Sequence, residues 1–277
     1  MTKKNKQKKP RIKYSQLPAA RAAYLRSVKR DKVKVLSLQI AVLILFIGLW
    51  QLLASTGVID DFITSSPIRI IKTLATLLKQ DLLKHVGITL LECIVGFVVS
   101  SALGFFIAVG LWSSKTARRV LEPYIVTLNS LPKVALGPII IVWMGAGMKA
   151  IVTMTVLICV IVTVISVLGG FLACDEGKLL LMRSMGATRT QTFFKLVLPQ
   201  SLPNLISVMK INVGLAWVGT IMGEYLVSSA GLGYLIIYGG QVFKLDLVMT
   251  STVILCVLAA LMYLGVALIE RHVASKR

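Results

Sequence analysis

Glu92, Lys133, Lys210 and Glu224 each interrupt a long apolar stretch of this 277-residue sequence. An ionised side chain at the centre of a bilayer costs about 2.5–3.5 kcal/mol on insertion scales, so such residues persist where they pair or line a path. The two cations could attract an anionic solute. Lys133 follows Pro132 in a stretch that Pro138 breaks again, and irregular backbone at membrane depth belongs where it lines a cavity. Lys210 lies about one-third into its stretch and could snorkel inward on its aliphatic stem. For the carboxylates, a gate or pathway group competes with a plainer paired or interfacial carboxylate. Glu224, near the end of its stretch, suits the plainer reading; Glu92 leaves both open.

Other chemistries find less support. The histidines, His85 and His272, stand at the ends of apolar stretches, and Cys93, Cys159, Cys174 and Cys256 are scattered with no C-x-x-C pair. That spacing suits neither a metal site nor a disulfide framework. Gly170 to Gly177-Lys178 superficially suggests a nucleotide loop, but the glycine spacing is wrong and Leu179 stands where Ser or Thr would bind magnesium. The chain is therefore expected to hold no metal or cofactor and to hydrolyse no ATP by itself. With only two histidines no Ser/His/Asp or Cys/His set is plausible, so the chain is not expected to be an enzyme.

The elements that must position these residues are membrane helices. Of the residues 56% are hydrophobic and 15% charged, with a mean hydropathy of +0.84, against roughly 25% charged in soluble chains. Residues 1–34 form a basic tail carrying thirteen of the 31 Lys and Arg residues. A juxtamembrane block of this kind is drawn to an anionic inner leaflet, which makes a nucleic-acid role unnecessary. The block is too long, and the following apolar run too extended, for a cleaved signal peptide, so the first span is expected to remain.

An all-α domain over 35–270 follows, with spans at about 35–55, 86–112, 120–144, 149–170, 201–226 and 246–269. A helix-like segment at Ile68–Gln80 lies between the first two, and a tail at 271–277 closes the chain. Six spans place 23 basic residues on the cytoplasmic side and six outside; dropping the Pro-broken third span gives 19 against 11. The positive-inside bias favours six, with both termini cytoplasmic. Gly96, Ser100 and Gly104 in the second span, and Gly219 and Gly223 in the fifth, recur at four-residue spacing. Such faces allow close helix packing, within one chain or between two.

Residues 171–200 are too long and too patterned for a connector. Asp175 and Glu176 suit the start of a short helix over Gly177–Met185, which Gly186 stops. A second helix begins near Thr188, carries Phe193, Phe194 and Val197 on one face, and is broken by Pro199. Met182, Met185, Gly186 and Ala187 stand at the exposed bend. This loop resembles that of permease subunits of binding-protein-dependent ABC importers, in which Gly is followed after nine residues by an aliphatic, one residue, then Leu-Pro. Here Gly186, Leu196, Leu198 and Pro199 hold that spacing. One departure is plain: Leu180, Leu181 and Met182 replace the Glu-Ala-Ala start, which puts any ion pair from that glutamate in doubt.

Leu49-Trp50-Gln51, Ser65-Ser66-Pro67, Gly223-Glu-Tyr-Leu226 and Gly231-Leu-Gly233-Tyr-Leu resemble the nitrate/sulfonate/taurine-type branch. The resemblance implies a type I importer permease fold in which Met182, Arg183, Ser184, Met185, Gly186, Ala187, Thr188, Leu198 and Pro199 couple to an ATPase. It further implies two ATPase subunits that use the ATP, an extracytoplasmic solute-binding protein and a second permease copy in a homodimer. The cargo it implies is a small anion such as an aliphatic sulfonate, taurine or nitrate, or alternatively a pyrimidine precursor of thiamine. A secondary transporter is the more distant alternative.

Overall fold

The structure, a computed structural model, describes residues 19–274 and divides into two units, residues 1–61 and 62–277. The basic tail expected over 1–34 lies outside the described residues as far as residue 18, as do residues 275–277 of the C-terminal tail. The first unit is essentially one helix, α1 (Ala19–Ser55), whose C-terminal part is long and apolar enough to cross a bilayer and is largely exposed. Being apolar all round, it suits lipid.

After the short α2 (Asp61–Thr64), α3 (Pro67–Leu78) starts where Ser66 caps it, its hydroxyl accepting from the Arg69 amide at 3.4 Å with proline in the first turn. There follow α4 (Leu82–Ser113), α5 (Lys115–Ser130), α6 (Gly137–Met144) and α7 (Met148–Leu172). Next come the short α8 (Glu176–Ser184) and α9 (Arg189–Thr192), then α10 (Leu198–Val227), α11 (Leu232–Gln241) and α12 (Leu245–Ala274). Of the spans, α4, α7 and α10 pack most closely. The small-residue stripes explain why: a Cβ on Gly219 would stand 2.7 Å from Thr155 Cα, and one on Gly223 2.9 Å from Ile151 Cα, both backbone atoms of α7. On α4, Gly96 faces Thr155 and Gly104 faces Thr163. These stripes therefore serve packing inside the chain.

Three details refine or correct the plan. The third span is a bent pair: α5 and the segment 133–144 meet at 87°, so five single helices and this broken one make up the six candidates. Pro132 is the cause. It forces Leu131 into extended backbone (φ −68°, ψ 138°), and a single 3-10 turn over Lys133–Leu136 leads into α6. Secondly, the segment between the fifth and sixth spans contains a helix, α11. Thirdly, Pro199 breaks nothing. The chain runs from α9 through a π-helical turn, Phe193–Val197, directly into α10, where Pro199 occupies the first turn. The Leu198 amide donates to Phe193 O, five residues back, and this wider turn accommodates a ring that has no N–H and would crowd an α-helical carbonyl.

Candidate functional site

The bend at Gly186 is built by two local motifs. The Asp175 carboxylate caps α8, accepting from the Lys178 amide at 2.9 Å. At the other end the Gly186 amide donates to Arg183 O at 2.9 Å and the Ala187 amide to Met182 O at 3.0 Å. This is the Schellman arrangement, which needs a left-handed residue; Gly186 supplies it with φ +71°. Two residues on, Thr188 opens α9 with a capping box. Its hydroxyl accepts from the Gln191 amide at 3.2 Å, and the Gln191 side chain accepts from the Thr188 amide at 2.9 Å. The Thr-x-x-Gln spacing was readable in the sequence and sharpens the boundary to one residue.

Arg183, Ser184, Met185, Gly186 and Thr188 are exposed, Met185 at 74%, while Met182 and Ala187 are half-buried. Leu180 and Leu181, in place of the family's Glu-Ala, add an exposed apolar strip. The floor of the bend is aromatic. Phe193 packs between Trp112 and Phe171 at ring distances of 5.1 and 5.3 Å, and Val197 is fully buried beside them. Phe194, expected on that same face, is 61% exposed, its ring meeting Phe193 edge-on at 5.3 Å, because consecutive helical residues lie about 100° apart. The Arg189 guanidinium donates to Ser113 O at 3.0 Å, tying the bend to the last turn of α4. Leu198 and Pro199 are half-buried and link the bend to α10. Cys174 is buried beside it, its thiol donating to Gln200 at 3.3 Å. Desolvation there pushes the thiol above its ordinary range. Leu179 of α8 packs into the same cluster as Ala108 of α4, Val167 and Phe171 of α7 and Val208 of α10, which joins the bend to the three spans.

The intramembrane charges separate into three places. Lys133 stands in the break between α5 and α6, half-buried, its ammonium donating to Asn129 O at 3.0 Å. Lys210 on α10 pairs with Glu270 on α12, with the Tyr263 ring 6.0 Å away. That pairing satisfies its charge between two helices. Glu92 and Glu224 come together, 2% and 1% exposed, within hydrogen-bonding reach of each other. Glu224 therefore has a carboxyl neighbour, and sequence spacing carried no signal that Glu92 was that partner. Among the described residues no cluster of three or more His, Cys, Asp or Glu side chains could hold a metal.

Residues 100–276 match the protein family described as "Binding-protein-dependent transport system inner membrane component". The chain belongs to this family. As such it is an inner-membrane permease subunit of an ABC-type importer. Among similar proteins, the putative aliphatic sulfonates transport permease SsuC of Bacillus subtilis is 27% identical over 83% of this chain and 84% of its own length. The taurine transport permease TauC of Escherichia coli is 22% identical over 85% and 88%. The formylaminopyrimidine transport permease ThiX of Halalkalibacterium halodurans is 29% identical over 63% and 70%. Among solved structures, the inward-facing MetNI methionine ABC transporter superposes with a TM-score of 0.59 at 22% identity, covering 73% of this permease and 98% of that chain. A bacterial alginate ABC transporter does so with a TM-score of 0.62 at 14% identity over 90% and 99%. At these identities the two structures establish the shared fold.

Proposed function

We propose that this permease carries a small organic sulfonate or a comparable anion across the membrane, with a separate ATPase docked on the bend at Gly186. The observation that carries the reading is that bend: an exposed, doubly capped turn, rigidly joined to α4, α7 and α10. Met182 through Thr188 form the docking surface, and Leu198 and Pro199 transmit its movement into α10. Two ATPases and two permease copies fit this reading, because a single broken span and one bend supply half of a symmetric machine. An extracytoplasmic binding protein would deliver the solute, as the family's description implies. The positive-inside charge distribution supports a cytoplasmic bend and cytoplasmic termini. Relatives named as aliphatic sulfonate and taurine permeases support the anion, and the half-buried Lys133 ammonium at the α5–α6 break supplies a charge that would attract one.

A pyrimidine precursor is the second reading, favoured by the 29% identity with a formylaminopyrimidine permease. Reconstitution of the permease with its ATPase and binding protein in proteoliposomes distinguishes them. ATP-dependent uptake of labelled taurine should be competed by an alkanesulfonate. Competition by a hydroxymethylpyrimidine alone would replace the first reading with the second.

A further inference from the structure

The buried carboxyl pair lies where α4 begins and α10 ends, and it meets the N-terminus of α11. Three successive amides there are held by side chains from other helices. The Gly231 amide donates to His85 Nδ1 at 2.9 Å, the Leu232 amide to Thr89 Oγ1 at 2.8 Å, and the Gly233 amide to Glu224 Oε2. The Tyr234 amide also reaches Glu224, while the Thr89 hydroxyl donates to His85 O at 3.1 Å. His85, Thr89 and Glu92 follow one another at helical spacing along a single face of α4. The two glycines are needed because the carboxylate sits against the backbone: a Cβ on Gly231 would stand 2.5 Å from Glu224 Cδ, and one on Gly233 2.7 Å from Oε2.

One oxygen of each carboxyl, Glu92 Oε2 and Glu224 Oε1, is buried with no hydrogen-bond partner. Ionised carboxylates only accept, so two of them facing each other would leave both oxygens without a donor and two like charges out of water. The titratable neighbours do not compensate. Cys93 on α4 and Tyr225 on α10 add no positive charge, and His85, accepting at Nδ1, carries no proton on that nitrogen. We propose that Glu92 and Glu224 form a proton-binding site, one proton being held between the two carboxyls. Glu224 is the anion, because the α11 amides converge on it and the helix dipole favours negative charge there. Glu92 is the donor. The filled site latches the α10–α11 hairpin to α4, and His85 and Thr89 complete the latch.

Infrared difference spectroscopy of the purified transporter complex in lipid nanodiscs at neutral pH tests the site directly. The wild type should show the carbonyl stretch of a protonated carboxylic acid, and Glu92→Gln should lose it. A sodium ion or a water between two carboxylates would give no such band, and its absence from the wild type overturns the proposal. Amide hydrogen exchange across residues 231–234 supplies the second readout. Glu92→Gln retains an N–H donor toward Glu224 and should leave exchange unchanged, whereas Glu224→Leu should accelerate it at least tenfold. Acceleration in Glu92→Gln equal to that in Glu224→Leu would also refute the shared proton. If Glu224→Leu fails to fold, the infrared comparison of wild type and Glu92→Gln decides by itself.

Discussion

Replacing Gly186 with valine isolates the coupling bend from the stability of the spans. The residue stands at φ +71°, and a Cβ built there meets no atom within 4 Å. The penalty is therefore purely conformational: a left-handed residue other than glycine costs about 1–2 kcal/mol, with β-branched side chains at the upper end. That is a factor of roughly 5–30 against the native turn. Relaxation to right-handed backbone would break the bonds from Gly186 to Arg183 and from Ala187 to Met182, turning the exposed Met185 away from its docking position. The α4–α7–α10 packing does not touch this position, so membrane level and detergent stability should stay near wild type. ATPase co-purification and ATP-driven uptake should fall by roughly the same 5–30-fold. Gly186→Asn, which tolerates left-handed backbone, should keep most of both. Wild-type uptake by the valine variant would refute the docking assignment, and loss of the protein from the membrane would refute the claim that the bend is energetically separate.

Gly219→Ala should lower thermal stability in detergent by about 1–3 kcal/mol, the usual penalty of overpacking, because its Cβ meets Thr155 Cα at 2.7 Å. Gly214→Ala, with open space around it, is the matched control. Asp246→Asn weakens the fork in which Asp246 accepts from Arg69 at 2.8 and 3.0 Å and from Ser65 at 2.7 Å. Since the two charged side chains are 37% and 26% exposed, a double-mutant cycle should return roughly 0.5–1 kcal/mol. Cys174 should react with a water-soluble maleimide more slowly than an exposed thiol at neutral pH. Burial raises its titration, and since the thiolate is the nucleophile, the rate should climb as pH rises past the ordinary cysteine range; a flat profile would contradict this.

The membrane class, the six-segment plan and the place of the bend were determined by the sequence, because they rest on local quantities. Apolar runs long enough to cross lipid, the clustering of Lys and Arg, and a glycine ten residues before Leu196 can each be read from neighbouring letters. The Schellman turn at Gly186 and the caps at Ser66, Asp175 and Thr188 are local in the same sense. Other features depended on distant partners. Whether Pro199 would end a helix turned on the packing of Phe193 and Val197 against Trp112 and Phe171, which favours a π turn over a break. Lys210 became a paired residue only when α12 placed Glu270 beside it, sixty positions away in sequence. Glu92 and Glu224 look alike in isolation, as single carboxyls in two apolar runs. Close helix packing, permitted by the glycines along α4 and α10, brings them together, and α11 supplies the amides that make their two roles unequal.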